Sequence, residues 1–252
     1  MTLLRRELRR FLAAVQYFTR LPVPSWVGHD QAQLDAAVRY FPAVGILVGV
    51  SGGVTWLVAA RWWPRPVDVT LALIVMVAMT GAFHEDGLAD AVDGLGGALE
   101  RDRALEIMKD SRIGSFGAVA LVLSLLLKFA VLQTFGPGVA VLVLIAAHAV
   151  SRLGAVGIIA TSPYVVEAAH SRSKPLVRSV SWTTVLIASV IGLATPLLLR
   201  WPGLAGIAAV GVACALWRRY LDERIGGYTG DCLGAAQQIG ECVFYLTIVA
   251  MR

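Results

Sequence analysis

Residues 114–135 read GSFGAVALVLSLLLKFAVLQTF, and residues 138–160 read GVAVLVLIAAHAVSRLGAVGIIA. Either stretch, as a helix rising about 1.5 Å per residue, is long enough to cross the roughly 30 Å hydrocarbon core of a bilayer. The whole chain is 57% hydrophobic and 15% charged, with a mean hydropathy of +0.71. A soluble domain carries about 25% charged residues. The sequence therefore predicts an integral membrane protein rather than a large soluble α-helical protein.

Further apolar segments of spanning length flank these two, and Pro or Gly residues separate them. The predicted spans are residues 41–60, 67–83, 114–135, 138–160, 182–200, 203–217 and 233–251. Gln237, Gln238 and Glu241 interrupt the last span, which makes it the weakest of the seven. We predict an all-α, polytopic membrane protein with about seven transmembrane helices in a single domain, residues 1–252. The exact number of spans stays open.

The N-terminal segment has the pattern of an amphipathic helix. Leu4, Leu8, Phe11, Val15 and Phe18 recur at helical spacing among several arginines, so one face is apolar and the other is basic. We predict that this helix lies on the cytoplasmic surface of the membrane, in contact with lipid.

Lys and Arg residues are unevenly distributed between the two sides that this topology defines. Sixteen lie on the side of the N-terminus, whereas the other side holds only Arg61, Arg65, Arg200 and Arg252. Because cytoplasmic segments are enriched in Lys and Arg, the N-terminus is predicted to face the cytoplasm. The long polar connections on that side are residues 84–113, 161–181 and 218–232. The net charge of +5 is scattered over the ends of apolar segments, which argues against nucleic-acid binding.

An acidic, glycine-rich stretch, HEDGLADAVDGLGG, occupies residues 84–97 between two apolar segments. Asp86, Asp90 and Asp93 are spaced i, i+4, i+7, so on a helix they share one face. Three carboxylates this close repel one another unless a cation neutralises them. Oxygen ligands without His or Cys favour Mg²⁺ or Mn²⁺ over zinc. Gly87, Gly94, Gly96 and Gly97 are expected to break the helix and let a phosphate approach the backbone. The alternative to a metal site is a solvated acidic loop.

A charged cluster directly precedes the span that begins at residue 114. Lys109 and Arg112 are suited to gripping a phosphate, while Asp110 is placed to join the metal or to orient Arg112. Ser111 adds a hydroxyl to the same cluster. Anchoring by the positive-inside rule would explain the two cations but neither Asp110 nor Ser111.

A second glycine-rich segment, GGYTGD at residues 226–231, lies before the last span. A turn needs one glycine, and this segment has three with Thr229 and Asp231. We interpret it as a ligand-binding loop in which Gly227 and Thr229 contact substrate and Asp231 contributes a carboxylate.

Ionisable residues within predicted spans are functional candidates by default. His148 and Arg152 are spaced i, i+4 in the stretch 138–160. Arg152 is predicted to line the substrate site, with snorkelling towards the inner surface as its alternative. Lys128, nearer the outer half, is interpreted as a snorkelling residue.

The motifs described above, together with two runs near the start, resemble the cobalamin synthase family, the adenosylcobinamide-GDP ribazoletransferases. The runs are GAFHEDGLAD (81–90), EIMKDSRIG (106–114), GGYTGDCLGA (226–235), RLPVP (20–24) and FPAVG (41–45). The resemblance covers nearly the whole chain, in the same order and at similar spacing. The CDP-alcohol phosphotransferases of lipid synthesis fit less well, because Asp90-Ala91 stands where their motif requires Ala-Arg.

The resemblance implies a reaction, a cofactor and a location. The ribose 3′-hydroxyl of α-ribazole, or of its 5′-phosphate, attacks the corrinoid-bound phosphorus of adenosylcobinamide-GDP. GMP leaves, and adenosylcobalamin or its 5′-phosphate is formed, in a late step of cobalamin biosynthesis. The family is Mg²⁺-dependent and resides in the bacterial inner membrane. A homo-oligomeric assembly is left open.

Roles for the candidate residues follow from joining the resemblance to the patterns above. Asp86, Asp90 and Asp93 are assigned to metal binding and catalysis. Lys109 and Arg112 hold the diphosphate, and Asp231 completes the metal site or acts as the base. A cation-coupled transporter is the non-enzyme alternative. It requires acidic residues near the bilayer midplane, whereas this topology places the acidic stretch at the inner boundary.

Overall fold

The computed structural model describes residues 2–28, 30–165 and 180–251. Within these residues the chain forms eleven α-helices and no β-strand, apart from one isolated bridge. The helices are α1 (Leu3–Phe18), α2 (Gln31–Ala37), α3 (Phe41–Ala59), α4 (Val67–Thr80), α5 (Phe83–Gly97), α6 (Arg101–Met108), α7 (Ser115–Leu132), α8 (Pro137–Thr161), α9 (Trp182–Leu197), α10 (Arg200–Ile225) and α11 (Gly230–Ala250). Short 3₁₀ turns at Ser25–Val27 and Val38–Tyr40 complete the secondary structure of the described part. The prediction of an all-α fold is confirmed.

Each of the seven predicted spans coincides with a helix, so the multi-pass architecture is confirmed. Five helical segments are long and apolar enough to cross a bilayer: Gln33–Ala59, Ser115–Leu132, Pro137–Thr161, Arg200–Ile225 and Gly230–Ala250. The count of seven is approximate, because α4 has 14 residues and α9 has 16, short of the roughly 20 that a span needs. Taking α4 and α5 as one bent span raises the count to six.

The chain turns sharply between α4 and α5. Gly81 ends α4 in the left-handed conformation with φ of 66°, Ala82 follows with φ of 59°, and the two helix axes differ by 83°. The polar connection over residues 84–113 is mostly helical, because α5 and α6 occupy most of it. The expected helix break by glycine is wrong, since Gly87 and Gly94 lie within α5. Packing against neighbouring helices overrides the low helix propensity of glycine.

Helix α8 forms the centre of the bundle and packs against α3, α9, α10 and α11. Its closest partner is α3, where glycines permit contact between the two backbones. A Cβ atom added to Gly45 would lie 2.1 Å from the carbonyl oxygen of His148, and one added to Gly49 would lie 2.5 Å from Cα of Ile145. Any larger residue would separate the two helices, as is common for small residues at membrane helix interfaces.

Large apolar side chains cover the outside of the bundle. Phe116, Val122 and Leu126 on α7, and Leu186 and Val190 on α9, are each more than half exposed. Such a surface is stable against lipid chains and unfavourable in water. It supports the membrane assignment made from composition.

The apolar face of helix α1 is exposed at the start of the helix and buried in the protein towards its end. Leu3 and Leu4 are largely exposed, whereas Val15 and Phe18 are buried in the core. Glu7 fixes the middle of the helix by accepting a hydrogen bond from the Tyr40 hydroxyl at 3.0 Å. The predicted N-terminal amphipathic helix is therefore present. Its exposed leucines are available to lipid. The predicted connection over 161–181 lies mostly outside the described residues.

Candidate active site

Helices α5 and α11 cross at a pair of glycines. The Cα atoms of Gly87 and Gly234 are so close that a Cβ on Gly87 would lie 3.2 Å from Cα of Gly234. The same Cβ would lie 3.0 Å from the backbone oxygen of Asp231. This crossing brings Asp231, at the start of α11, beside Asp86 and Asp90 near the start of α5. Residues some 140 positions apart in the chain thereby meet in one site.

The carboxylates of Asp86, Asp90 and Asp231 form an acidic cluster. Asp86 is exposed, while Asp90 and Asp231 are half-buried. Burial, and then the negative charges of Asp86, Asp231 and Asp93, raise the pKa of Asp90 to about 7. No described Lys or Arg forms a salt bridge with the three clustered carboxylates. The cluster therefore holds negative charge that a bound cation would neutralise.

The structure places Asp93 differently from its two neighbours on α5. It is buried, and its carboxylate accepts hydrogen bonds from the backbone N–H of Gly114 at 2.7 Å and of Gly117 at 2.8 Å. A Cβ on Gly117 would lie 2.3 Å from a carboxylate oxygen of Asp93. Asp93 thus caps the N-terminus of α7, where a negative charge is favourable. The three aspartates lie along one side of α5, as the spacing predicted, but their exposure differs. Asp86 is exposed to solvent, whereas Asp93 is buried against α7.

The fit of a divalent cation to these side chains depends on how many ligands the protein must supply. Among the described residues, no three His, Cys, Asp or Glu side chains converge on a ready-made metal position. Mg²⁺, however, is commonly held by one or two carboxylates together with substrate phosphates and water. Asp86 and Asp90 are the two carboxylates that would hold such an ion. The residues therefore fit Mg²⁺ bound jointly with a diphosphate.

The loop between α6 and α7 carries Lys109, Asp110, Ser111 and Arg112. Arg112 is highly exposed, and its Nε donates to both carboxylate oxygens of Asp110, at 2.9 and 3.1 Å. This pairing lowers the pKa of Asp110 to about 2. The guanidinium is thereby held in one orientation at the surface. The Asp93 cap at Gly114 fixes the end of this loop to α5, on the same side of the protein as Lys109 and Ser111.

The GGYTGD segment is shaped by backbone requirements. Gly226 ends α10 with φ of 80°, and a Cβ on Gly227 would lie 2.1 Å from the carbonyl oxygen of Pro163. The Tyr228 N–H donates to that oxygen at 3.0 Å. Thr229 then caps α11 by accepting the N–H of Cys232 at 3.3 Å. Gly227 and Thr229 therefore have structural roles that place Asp231 at the first turn of α11.

A group of polar side chains lies inside the bundle, below the acidic cluster. Each member is at most 5% exposed, and we call the group the buried polar network: Lys128, His148, Arg152, Gln237, Gln238 and Glu241. The ammonium of Lys128 lies 2.6 Å from Oε1 of Gln238 and 3.2 Å from Oε2 of Glu241. The snorkelling interpretation of Lys128 is wrong, because the ammonium is buried and pairs with Glu241 on α11. The sequence around Lys128 gives no sign of this partner, which lies on a distant helix.

Arg152 belongs to this network and does not snorkel either. It is 2% exposed, and its Nη1 donates to the backbone oxygen of His148 at 3.1 Å. His148 in turn lies 3.4 Å from Glu241. His84 is buried with its ring stacked on Phe18, which is a packing role.

Sequence reasoning missed Glu85 and the polar side of α11. Gln237, Gln238 and Glu241 entered only as interruptions of an apolar span. Polar residues in a membrane helix almost always face the interior of the bundle, and that signal would have identified them. Their partners on α5, α7 and α8 follow only from the packing.

Comparison with known proteins covers almost all of these elements. The family model described as cobalamin-5-phosphate synthase matches residues 10–249. The chain belongs to the cobalamin-5-phosphate synthase family. Curated relatives of similar length carry the name adenosylcobinamide-GDP ribazoletransferase. One from Shewanella sp. (strain W3-18-1) is 45% identical over 250 residues, which are 97% of this chain and 95% of the relative.

Two further relatives with the same name come from other genera. The protein of Leptothrix cholodnii is 44% identical over 98% of this chain and 97% of its own length. The protein of Ralstonia pickettii is 45% identical over 99% of this chain and 98% of its own length. No solved structure matches the chain. The family match extends from α1 to α11, so the acidic cluster and the buried polar network both lie within the matched residues.

Proposed function

We propose that this member of the cobalamin-5-phosphate synthase family is an adenosylcobinamide-GDP ribazoletransferase. The ribose hydroxyl of α-ribazole, or of its 5′-phosphate, attacks the phosphorus next to the corrinoid. A phosphorus–oxygen bond forms there, the diphosphate bond breaks, GMP leaves, and the hydroxyl proton passes to a base. The observation that carries the proposal is the acidic cluster at the α5–α11 crossing, in a chain whose full-length relatives bear this name. The comparisons do not favour a lipid phosphotransferase or a transporter.

The acidic cluster is assigned to the diphosphate and its metal. Asp86 and Asp90 are the residues that would hold Mg²⁺, which when bound would supply charge neutralisation at the diphosphate. Asp93 keeps α5 and α7 together beneath them. Asp231 faces them across the helix crossing, where it can accept the proton of the attacking hydroxyl. Most of the rate enhancement in such a transfer comes from positioning and charge neutralisation.

The surface loop before α7 is assigned to the leaving group. Arg112 is paired with Asp110 through Nε and Nη2, and its remaining N–H donors are available to a phosphate oxygen. Lys109 lies on the same loop and adds positive charge. Because GMP gains negative charge as the diphosphate bond breaks, cations at this position stabilise the transition state more than the ground state.

We place the protein in the bacterial inner membrane with the acidic cluster facing the cytoplasm. The excess of Lys and Arg on the side of the N-terminus supports this orientation. Nucleotide substrates are cytoplasmic molecules, and a site on that side receives them directly. The exposed leucines of α1 support a location of this helix at the membrane surface.

The direct test uses purified protein in liposomes with adenosylcobinamide-GDP and α-ribazole 5′-phosphate, with and without Mg²⁺. We expect GMP release that requires Mg²⁺ and yields a new corrinoid product. GMP release in the presence of a chelator would refute the metal assignment. Absence of product from folded protein would refute the reaction, and CDP-alcohol substrates would then be assayed.

A further inference from the structure

The buried polar network is joined by a hydrogen bond to α5, the helix that carries Asp86 and Asp90. Nε2 of Gln238 on α11 donates to Oε1 of Glu85 on α5 at 3.0 Å. Glu85 directly precedes Asp86 in the chain. The side-chain oxygen of Gln238 accepts from Lys128 at 2.6 Å, so the glutamine amide is held at both ends. A continuous chain of contacts therefore runs from α7 through α11 to α5.

Behind this hydrogen bond, an ion pair fixes Gln238. Glu241 contacts Lys128 at 3.2 Å, accepts from Gln237 at 2.8 Å and accepts from the Tyr245 hydroxyl at 2.9 Å. Its carboxylate thus has a partner on both oxygens. A buried charge pair that is fully hydrogen-bonded specifies one arrangement of its helices more strongly than it stabilises them.

Helix α5 is fixed in its C-terminal half by Asp93, whose carboxylate accepts hydrogen bonds from Gly114 and Gly117 at the start of α7. Near the start of the helix, Glu85 makes the corresponding directional contact with Gln238. The helix enters through the bend after Gly81 and meets α11 and α6 through Gly87 and Gly94. At Gly87 the contact is with the backbone of α11, and at Gly94 the Met108 side chain of α6 packs against the glycine. Such apolar contacts are non-directional. The hydrogen bond to Glu85 therefore adds to the Asp93 contact a directional restraint in the half of α5 that carries Asp86 and Asp90.

The space beside this network is small. Glu85, Lys128 and Arg152 border an internal cavity of about 10 Å³, which is the size needed for about one water molecule. Two buried atoms without a described partner, Oε2 of Glu85 and Nε of Arg152, belong to residues that border this cavity. The network therefore acts on the site through helix position.

We propose that Gln238 and Glu85, backed by the Lys128–Glu241 pair, are positioning residues that set the rotation of α5 and so the direction of the Asp86 and Asp90 carboxylates. The effect of Gln238 and Glu85 on metal binding rests on the proposed function. Their effect on the position of α5 does not, and the two effects are measured separately.

The test compares four variants in nanodiscs. Gln238→Met and Glu85→Ala remove the hydrogen bond, and Glu85→Gln keeps an oxygen acceptor for Gln238. Tyr245→Phe is the matched control, because it removes one buried hydrogen bond to Glu241 on the side away from α5. Hydrogen exchange of the α5 backbone amides, measured without substrate or metal, reports the position and stability of that helix. Mn²⁺ binding, followed by electron paramagnetic resonance, reports the acidic cluster.

We expect Gln238→Met and Glu85→Ala to speed exchange in α5 about tenfold and to weaken Mn²⁺ binding about tenfold. Glu85→Gln and Tyr245→Phe are expected to behave as the wild type in both measurements. Wild-type exchange in Gln238→Met, or equal loosening of α5 in Tyr245→Phe, would overturn the proposal. Loosened α5 together with unchanged Mn²⁺ binding would refute the link to the cluster. A wild type that released no GMP would refute the proposed function alone.

Discussion

Carboxylates serve opposite purposes at the start and in the middle of α11. At its start, Asp231 joins Asp86 and Asp90 in a cluster without a described cationic partner. Three turns further into the bundle, Glu241 is 1% exposed and contacts Lys128 at 3.2 Å. The buried carboxylate is neutralised by the protein, whereas the open cluster is left for something else to neutralise. Uncompensated charge at an accessible position marks a functional site more reliably than the number of acidic residues does.

The same contrast predicts how the two regions respond to mutation. Removing charge from the open cluster relieves repulsion, so stability is expected to be retained while function is lost. Removing one charge from the buried pair leaves its partner without compensation in a low-dielectric interior. Each of the following predictions would strengthen or contradict this comparison.

The largest effect is expected from Asp86→Asn and Asp90→Asn. Each should lower GMP release by about 1,000-fold or more, because the diphosphate charge is no longer neutralised. The melting temperature should stay equal or rise. Asp102→Asn, which changes a highly exposed carboxylate on α6, is the control and should keep full activity. A strongly lowered melting temperature for Asp90→Asn would show that the cluster has a structural purpose.

The next effect concerns the buried pair. Glu241→Gln should destabilise the protein by about 3–5 kcal/mol, because Lys128 then remains buried without a carboxylate. The double variant Lys128→Met/Glu241→Gln removes both charges and should recover most of that loss. Denaturant unfolding in detergent, followed by Trp fluorescence, measures both. Equal destabilisation in the single and double variants would contradict the assignment of a buried ion pair.

The helix crossing is expected to be sensitive to a single methyl group. Gly87→Ala would place Cβ 3.0 Å from the backbone of Asp231, so α5 and α11 must separate. A displacement of this size should lower GMP release by about 10- to 100-fold. Gly157→Ala on α8 is the matched control, because nothing lies within 4 Å of its added Cβ. Similar activity losses in both variants would point to a general effect of glycine replacement.

The smallest effect is a pH dependence of metal affinity. The pKa of Asp90 is raised to about 7 by burial and by its acidic neighbours, so this carboxyl is mostly protonated at pH 6 and ionised at pH 8. A cation must displace that proton, and the Mg²⁺ concentration for half-maximal activity should fall about tenfold from pH 6 to pH 8. Asp90→Asn, followed by Mn²⁺ binding, should lose this dependence. A pH-independent affinity in the wild type would remove Asp90 from the metal site.

Local patterns were sufficient to locate the helices and most of the candidate motifs. Apolar length identified the spans, and the i, i+4, i+7 spacing put Asp86, Asp90 and Asp93 on one helical face. The pattern does not show how that face is oriented. Contact with α7 turns Asp93 inward as a helix cap, and the glycines of α5 permit close packing where a helix break was expected.

The partners of buried charges lay beyond any local pattern. Lys128 was interpreted as snorkelling because a lone lysine in a span gains most by reaching the interface. Its true partner, Glu241, lies more than 100 residues away in sequence. The Lys128–Glu241 ion pair forms only because α7 packs against α11.

By itself, the sequence determined the membrane class, the helical fold and the chemical character of the acidic stretch, because hydropathy, residue spacing and composition act locally. The tertiary structure alone decided which carboxylates meet. The bend after Gly81 and the Gly87–Gly234 crossing bring Asp231 to Asp86 and Asp90, while the same packing buries Glu241 against Lys128. Distances between remote helices depend on side-chain volume at their contact, which sequence spacing does not encode.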